Sequence, residues 1–166
     1  WYYPGGTRLR LPPWVEIGWT EAAALRVLRS VGSRAYADRQ RVRLLAAYRS
    51  ADPRGNQMDL AVIPRGRPLS YRGKSLFVLE ELEKQSGRNV LARFRKAIRV
   101  CHAGGTIEKN IDTDEAIRLL SLGLGRDLYG FFRNLGTTVQ PKPLDFTAFG
   151  KLEKELDELI STKRKK

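Results

Sequence analysis

The sequence has one cysteine, Cys101, and one histidine, His102. A lone cysteine excludes an internal disulfide, and one thiol beside one imidazole is too few ligands for a metal cluster. Adjacent residues on a helix point in different directions, so the pair reads as a buried thiol next to a surface imidazole rather than a nucleophile with its base. No apolar run approaches the ~20 residues of a membrane span, so no membrane insertion is expected. Acidic residues are scarce too, 18 against 31 lysines and arginines. No carboxylate pair stands out beyond those on solvated helix faces. Catalysis is therefore the least supported class of function, and no catalytic residue, metal or cofactor is expected.

A glycine is also missing where a phosphate loop needs one. Gly73-Lys74-Ser75 is the tripeptide that ends a P-loop, but five positions before Gly73 stands Pro68, which has no N–H to offer a phosphate. The stretch predicts a helix instead. Ser75 would cap it, Leu76-Phe77-Val78 would form its first turn, and Glu80, Glu81, Glu83 and Lys84 would face solvent.

What the sequence has in excess is positive charge, +13 overall. Residues 1 to 74 hold 14 basic and 5 acidic residues, whereas residues 75 to 140 hold 10 and 8 and residues 141 to 166 hold 7 and 5. The basic field thus lies in the first half. Its arginine bias suits either RNA or an acidic protein surface. The chain begins at Trp1 without a methionine, and an arginine-rich, cysteine-poor chain of this kind fits a mitochondrial matrix protein whose leader has been removed.

Residues 1 to 19 contain three tryptophans, two tyrosines, three prolines and three glycines. This composition predicts an extended aromatic segment, which either wraps its own domain or docks on a partner. From Thr20 the pattern turns helical, with Ala24, Leu25, Leu28 and Val31 on one stripe before Gly32. A second helix starts at Ser33 or Arg34 and ends at Asp52-Pro53. Its apolar positions, Tyr36, Ala37, Val42, Leu44, Leu45, Ala47 and Tyr48, alternate with Arg39, Arg41, Arg43 and Arg49. Residues 53 to 74 read as a long loop. Further helices are predicted from Ser75 to about Gln85, from Asn89 to about Ala103, from Asp112 or Thr113, from Arg126 or Asp127, and over residues 145 to 161. In the fourth, Val90, Leu91, Phe94, Ala97, Ile98 and Cys101 face inward; in the fifth, Ala116, Ile117, Leu119, Leu120 and Leu122 do so. In the last, Phe146, Phe149, Leu152, Leu156, Leu159 and Ile160 are the inward positions, ahead of a basic tail at residues 162 to 166.

The expected fold is all-α, with about seven helices. Three degenerate hairpins begin near residues 20, 75 and 113 and a C-terminal helix completes a helical-repeat domain over residues 20 to 161. The stretch "SLFVLEELEKQSGRNVLARFRKAIRVCHAGG", residues 75 to 105, resembles a pentatricopeptide-type hairpin, and "TDEAIRLLSLGLGRDLYGFFRNLG", residues 113 to 136, resembles a shortened copy. Pentatricopeptide repeats imply RNA reading at one base per repeat, but their base-reading positions are not identifiable here, and three repeats read too few bases to specify a site.

In size, helix number, repeat number and aromatic N-terminus the chain is similar to the eighteen-kilodalton accessory subunits of the euglenozoan mitochondrial F1-ATPase. That resemblance implies a non-catalytic subunit of a proton-driven ATP synthase, bound to the outside of the alpha subunit of the catalytic head. A mitochondrial ribosomal or other RNA-binding protein is the alternative. Candidate partner-binding residues are Trp1, Tyr2, Tyr3 and Trp14, as buried anchors, with Arg39 and Arg43 setting orientation against acidic patches. For RNA binding stand Arg39, Arg41, Arg43, Arg49 and Arg54, with the basic loop at Arg65, Arg67, Arg72 and Lys74. Against it, Phe94, Phe131, Phe132, Phe146 and Phe149 fall on apolar stripes and read as core.

Overall fold

Apolar residues at helical spacing, separated by stop signals, produce seven α-helices in a computed structural model that describes residues 9–66, 68–87, 89–107 and 110–163. They are α1 (Pro13–Ser30), α2 (Arg34–Ala51), α3 (Leu69–Ser86), α4 (Val90–Ala103), α5 (Thr113–Leu124), α6 (Tyr129–Asn134) and α7 (Phe146–Lys163). The described residues hold no strand, only an isolated bridge between Arg10 and Asn110. No helix among them is long and apolar enough to cross a membrane. The fold is all-α, as the periodicity predicts.

Several helix ends follow their local chemistry. Asp112 Oδ1 accepts from the Glu115 N–H at 2.7 Å, and Asn89 Oδ1 accepts from the Ala92 N–H at 3.1 Å, each satisfying a donor that the first turn leaves unpaired. At the other end, Gly125 stops α5 in the left-handed conformation, with φ of 71°, which costs a residue without a Cβ little.

α3 is the axis of the N-terminal half, packed against both α1 and α2, while α1 also contacts α2. The second group is α4 with α5 on one side and α7 on another; α3 and α4 share a smaller contact. Close approach depends on missing side chains. A Cβ on Gly73 would lie 2.1 Å from the Leu44 carbonyl oxygen, and one on Gly123 would lie 2.7 Å from that of Arg93, so α3 seats on α2, and α5 on α4, backbone to backbone. One continuous core runs through both groups, from Trp14 and Leu79 to Phe94, Ile117, Leu120 and Phe132. A smaller cluster, Leu25, Ala37, Leu44 and Leu76, lies between α1, α2 and α3.

The structure moves two boundaries. α1 begins at Pro13 rather than Thr20, so the segment over residues 1 to 19 is not extended throughout. Proline at the first helical position needs no N–H partner and arrives with helical φ, and Trp14, Val15, Ile17 and Trp19 then bury a face that the Pro/Gly count obscured. Thr20 does not cap; its hydroxyl donates to the Glu16 carbonyl at 2.7 Å inside the helix. α3 likewise begins at Leu69, six residues before Ser75, whose hydroxyl donates to the Tyr71 carbonyl at 2.8 Å. Helix pairing also departs from a row of sequential hairpins, because α3 packs mainly on α1 and α2 rather than on α4.

Burial differs most on α1 and α2. Ala24, Val31, Tyr36 and Val42, placed on apolar stripes by periodicity, are exposed. So are Phe146, Leu159 and Ile160 of α7, while Phe149 is buried and Leu152 and Leu156 are partly covered. Lys96 of α4 holds this helix through Glu153 and Asp157, both at 2.9 Å, and those hydrogen bonds raise its pKa.

A candidate protein-docking face

Lys74 occupies the centre of the fold, not its surface. α3 carries it inward between Gly73 and Ser75, and its side chain is 0% exposed. Its ammonium donates to Asp52 Oδ2 at 2.9 Å, to the Met58 carbonyl at 2.5 Å and to the Leu135 carbonyl at 2.6 Å, with the Gly55 carbonyl at 3.3 Å. Asp52 is equally buried and also accepts from the N–H groups of Gln57 at 2.9 Å and Met58 at 3.0 Å. Burial alone would push the Asp52 carboxyl up, but the bonds from Lys74, Gln57 and Met58 outweigh it and hold the group below the usual aspartate range. Burial pulls the Lys74 ammonium below its ordinary value, with Asp52 opposing. Burial opposes the charge on both groups, and the hydrogen bond between them favours it on both.

All of the lysine's donors are thus committed within the fold, and no phosphate can reach it. The pair instead stitches the segment after α2 to α3 and to the end of α6. Tyr71 adds a hydroxyl bond to the Leu60 carbonyl at 2.9 Å, and Asp59 accepts from the Thr138 N–H at 3.1 Å. The described part of the predicted loop is therefore tied down, and it is shorter than expected because residues 69 to 74 are helical.

Trp14 is not a surface anchor. It is 0% exposed, and its ring lies 5.2 Å from that of Phe132 at a tilt. Just before it, Leu9 and Leu11 are buried, and the Arg10 carbonyl accepts from the Ile111 N–H at 2.9 Å. The described part of the N-terminal segment wraps its own domain. Trp1, Tyr2 and Tyr3 lie outside the described residues. Cys101 is buried, which pushes its thiol pKa up, and His102 is exposed, so the two do not combine as a nucleophile pair.

The arginines divide into two sets. Arg26 binds Glu83 through both carboxylate oxygens, Arg41 binds Glu80 in the same way at 2.7 Å, Arg29 reaches Asp38 at 2.8 Å and Arg72 reaches Glu21 at 2.6 Å. These four pairs clasp α1, α2 and α3 to one another. Arg39, Arg43 and Arg49 are exposed and have no ion pair among the described residues. Helical spacing sets Ala35, Arg39, Val42, Ala46 and Arg49 along one outward line of α2, and Val42 is 61% exposed. The face therefore combines uncommitted positive charge with small and apolar side chains, between which another protein's helix could pack closely.

Beside it, α1, α2 and the first turn of α3 enclose a groove of about 290 Å³ lined by Glu21, Ala24 and Leu28 of α1, Tyr36, Gln40 and Arg43 of α2, and Leu69 and Arg72 of α3. Sequence reasoning placed Arg39 and Arg43 correctly on an accessible surface but missed both the groove and the Lys74–Asp52 pair. The signal for the groove is the helical spacing of Ala24 and Leu28, which periodicity alone assigns to the core. No family model matches the chain, and no curated protein or solved structure matches it.

Proposed function

We propose that this protein is a non-catalytic accessory subunit that docks on a larger protein assembly through the outer face of α2. The observation that carries the reading is the division of the arginines: four hold α1, α2 and α3 together, while Arg39, Arg43 and Arg49 are exposed with no ion pair among the described residues, interleaved with exposed Val42. Unpaired arginine beside apolar surface suits an acidic protein patch, where charge fixes orientation and apolar contact supplies affinity. The sequence resemblance makes the alpha subunit of the mitochondrial F1-ATPase head, in the matrix, the first partner to test.

The same arginines would suit an RNA phosphate backbone, which is the second reading. Less favourable to it, Phe94 and Phe132 are core residues, leaving few described aromatic rings to stack on bases. Native mass spectrometry of the assembly purified from its source separates the two. Co-purifying ATPase subunits support the accessory reading, and co-purifying ribosomal RNA overturns it.

A further inference from the structure

We infer that the groove between α1 and α2 receives an acidic amphipathic helix of a partner protein, a deepening that rests on the docking function proposed above. The first observation is an apolar stripe without a cover. Ala24 and Leu28 stand one turn apart on α1 and line the groove together with Tyr36 of α2, and Tyr36 is 48% exposed. Below them Leu25, Leu44 and Leu76 form a closed cluster against which Leu28 is partly packed, which leaves Ala24 and Tyr36 exposed at the groove. Glu21 and Leu28, both in the lining, stand about 10 Å apart along α1, two turns of helix, a length that a short helical segment can match.

The second observation is the charge around it. Glu21 is committed to Arg72 and Asp38 to Arg29. Among the described residues Arg43 lines the groove without an ion pair, and Arg39 stands one turn away on α2. A helix with apolar residues at every third or fourth position and glutamates on its flanks satisfies both features. A second copy of this chain fits less well, because each copy carries a formal charge of +13.

The test uses the full chain and a fluorescein-labelled designed peptide of about 18 residues, long enough to form a helix on binding, with leucines at helical spacing and glutamates elsewhere. Three probes serve as comparisons: the same leucine pattern with lysines, a scrambled acidic sequence, and a single-stranded RNA of similar charge. Fluorescence anisotropy should show saturable binding of the acidic amphipathic peptide alone. Arg43→Glu should weaken it by roughly ten-fold, about the strength of one charge-assisted contact. Ala24→Gln, an exposed helical position where the substitution is compatible with folding, should weaken it by occupying the groove, and the helical spectrum checks that each variant is folded. Equal binding of the scrambled or lysine peptide, displacement of the peptide by RNA, or indifference to both substitutions would overturn the groove assignment. If the chain still co-purifies with the ATPase head while the peptide fails to bind, the groove is wrong and the accessory function stands. If the peptide binds but the head does not, the reverse holds.

Discussion

Replacing Lys74 by methionine should cost the fold several kcal/mol, although position 74 touches neither the proposed docking face nor any solvent. Methionine is similar in length and removes only the ammonium. Asp52, fully enclosed, then keeps a negative charge with no cation, and breaking one side of a buried pair costs about 3–5 kcal/mol. The Met58 and Leu135 carbonyls lose their donor as well, and each orphaned buried acceptor adds about 1–3 kcal/mol unless the segment opens to water. A domain of this size has about 5–15 kcal/mol in total, so Lys74→Met should lower the urea midpoint steeply. Far-ultraviolet circular dichroism during a urea titration measures it. Asp52→Asn combined with Lys74→Met should lose less than the two single changes added together, because the double variant leaves no bare charge. A Lys74→Met chain within roughly 1 kcal/mol of the wild type would refute the claim that this pair holds the segment after α2 to α3 and α6.

Acid should weaken the fold through the same pair. Asp52 has a lower proton affinity in the folded chain than in the unfolded one, so its contribution is present above the ordinary aspartate range and is lost as pH falls through the depressed folded value. Urea midpoints taken across that window should fall for the wild type and fall less for Asp52→Asn. Gly73→Ala should destabilise by about 1–3 kcal/mol, since its Cβ would sit 2.1 Å from a backbone oxygen that cannot swing aside. Trp14→Ala should cost about 3–5 kcal/mol and lower the melting temperature, as a core truncation does and a surface anchor does not.

Where a residue's role is set by its near neighbours, the sequence was readable. Asp112 caps α5 because the Glu115 N–H is three residues away, and Ala116, Ile117, Leu119, Leu120 and Leu122 are all buried because a fully enclosed helix leaves no ambiguity about its face. Lys74 was not readable. Its partners lie 22, 19, 16 and 61 positions away in the chain, and no local pattern marks a lysine that four distant acceptors will enclose. Trp14 was misplaced because Pro12-Pro13 resembles loop chemistry when it is in fact the opening of α1. The errors on α1 and α2 are of another kind. Ala24, Val31, Tyr36 and Val42 have the periodicity of a buried face, but each is exposed, outside the chain's own core. That mismatch is the sequence signal behind the proposed docking surface.

The most direct measurement of that surface is retention of the full chain on purified F1-ATPase heads after nuclease treatment and a high-salt wash, comparing the wild type with a chain carrying Arg39→Glu and Arg43→Glu. Docking through α2 predicts that the wild type stays bound, since apolar contact survives salt, and that the reversed chain is folded but lost from the heads. Retention of the reversed chain, or a wild-type association abolished by nuclease or by salt alone, would contradict it.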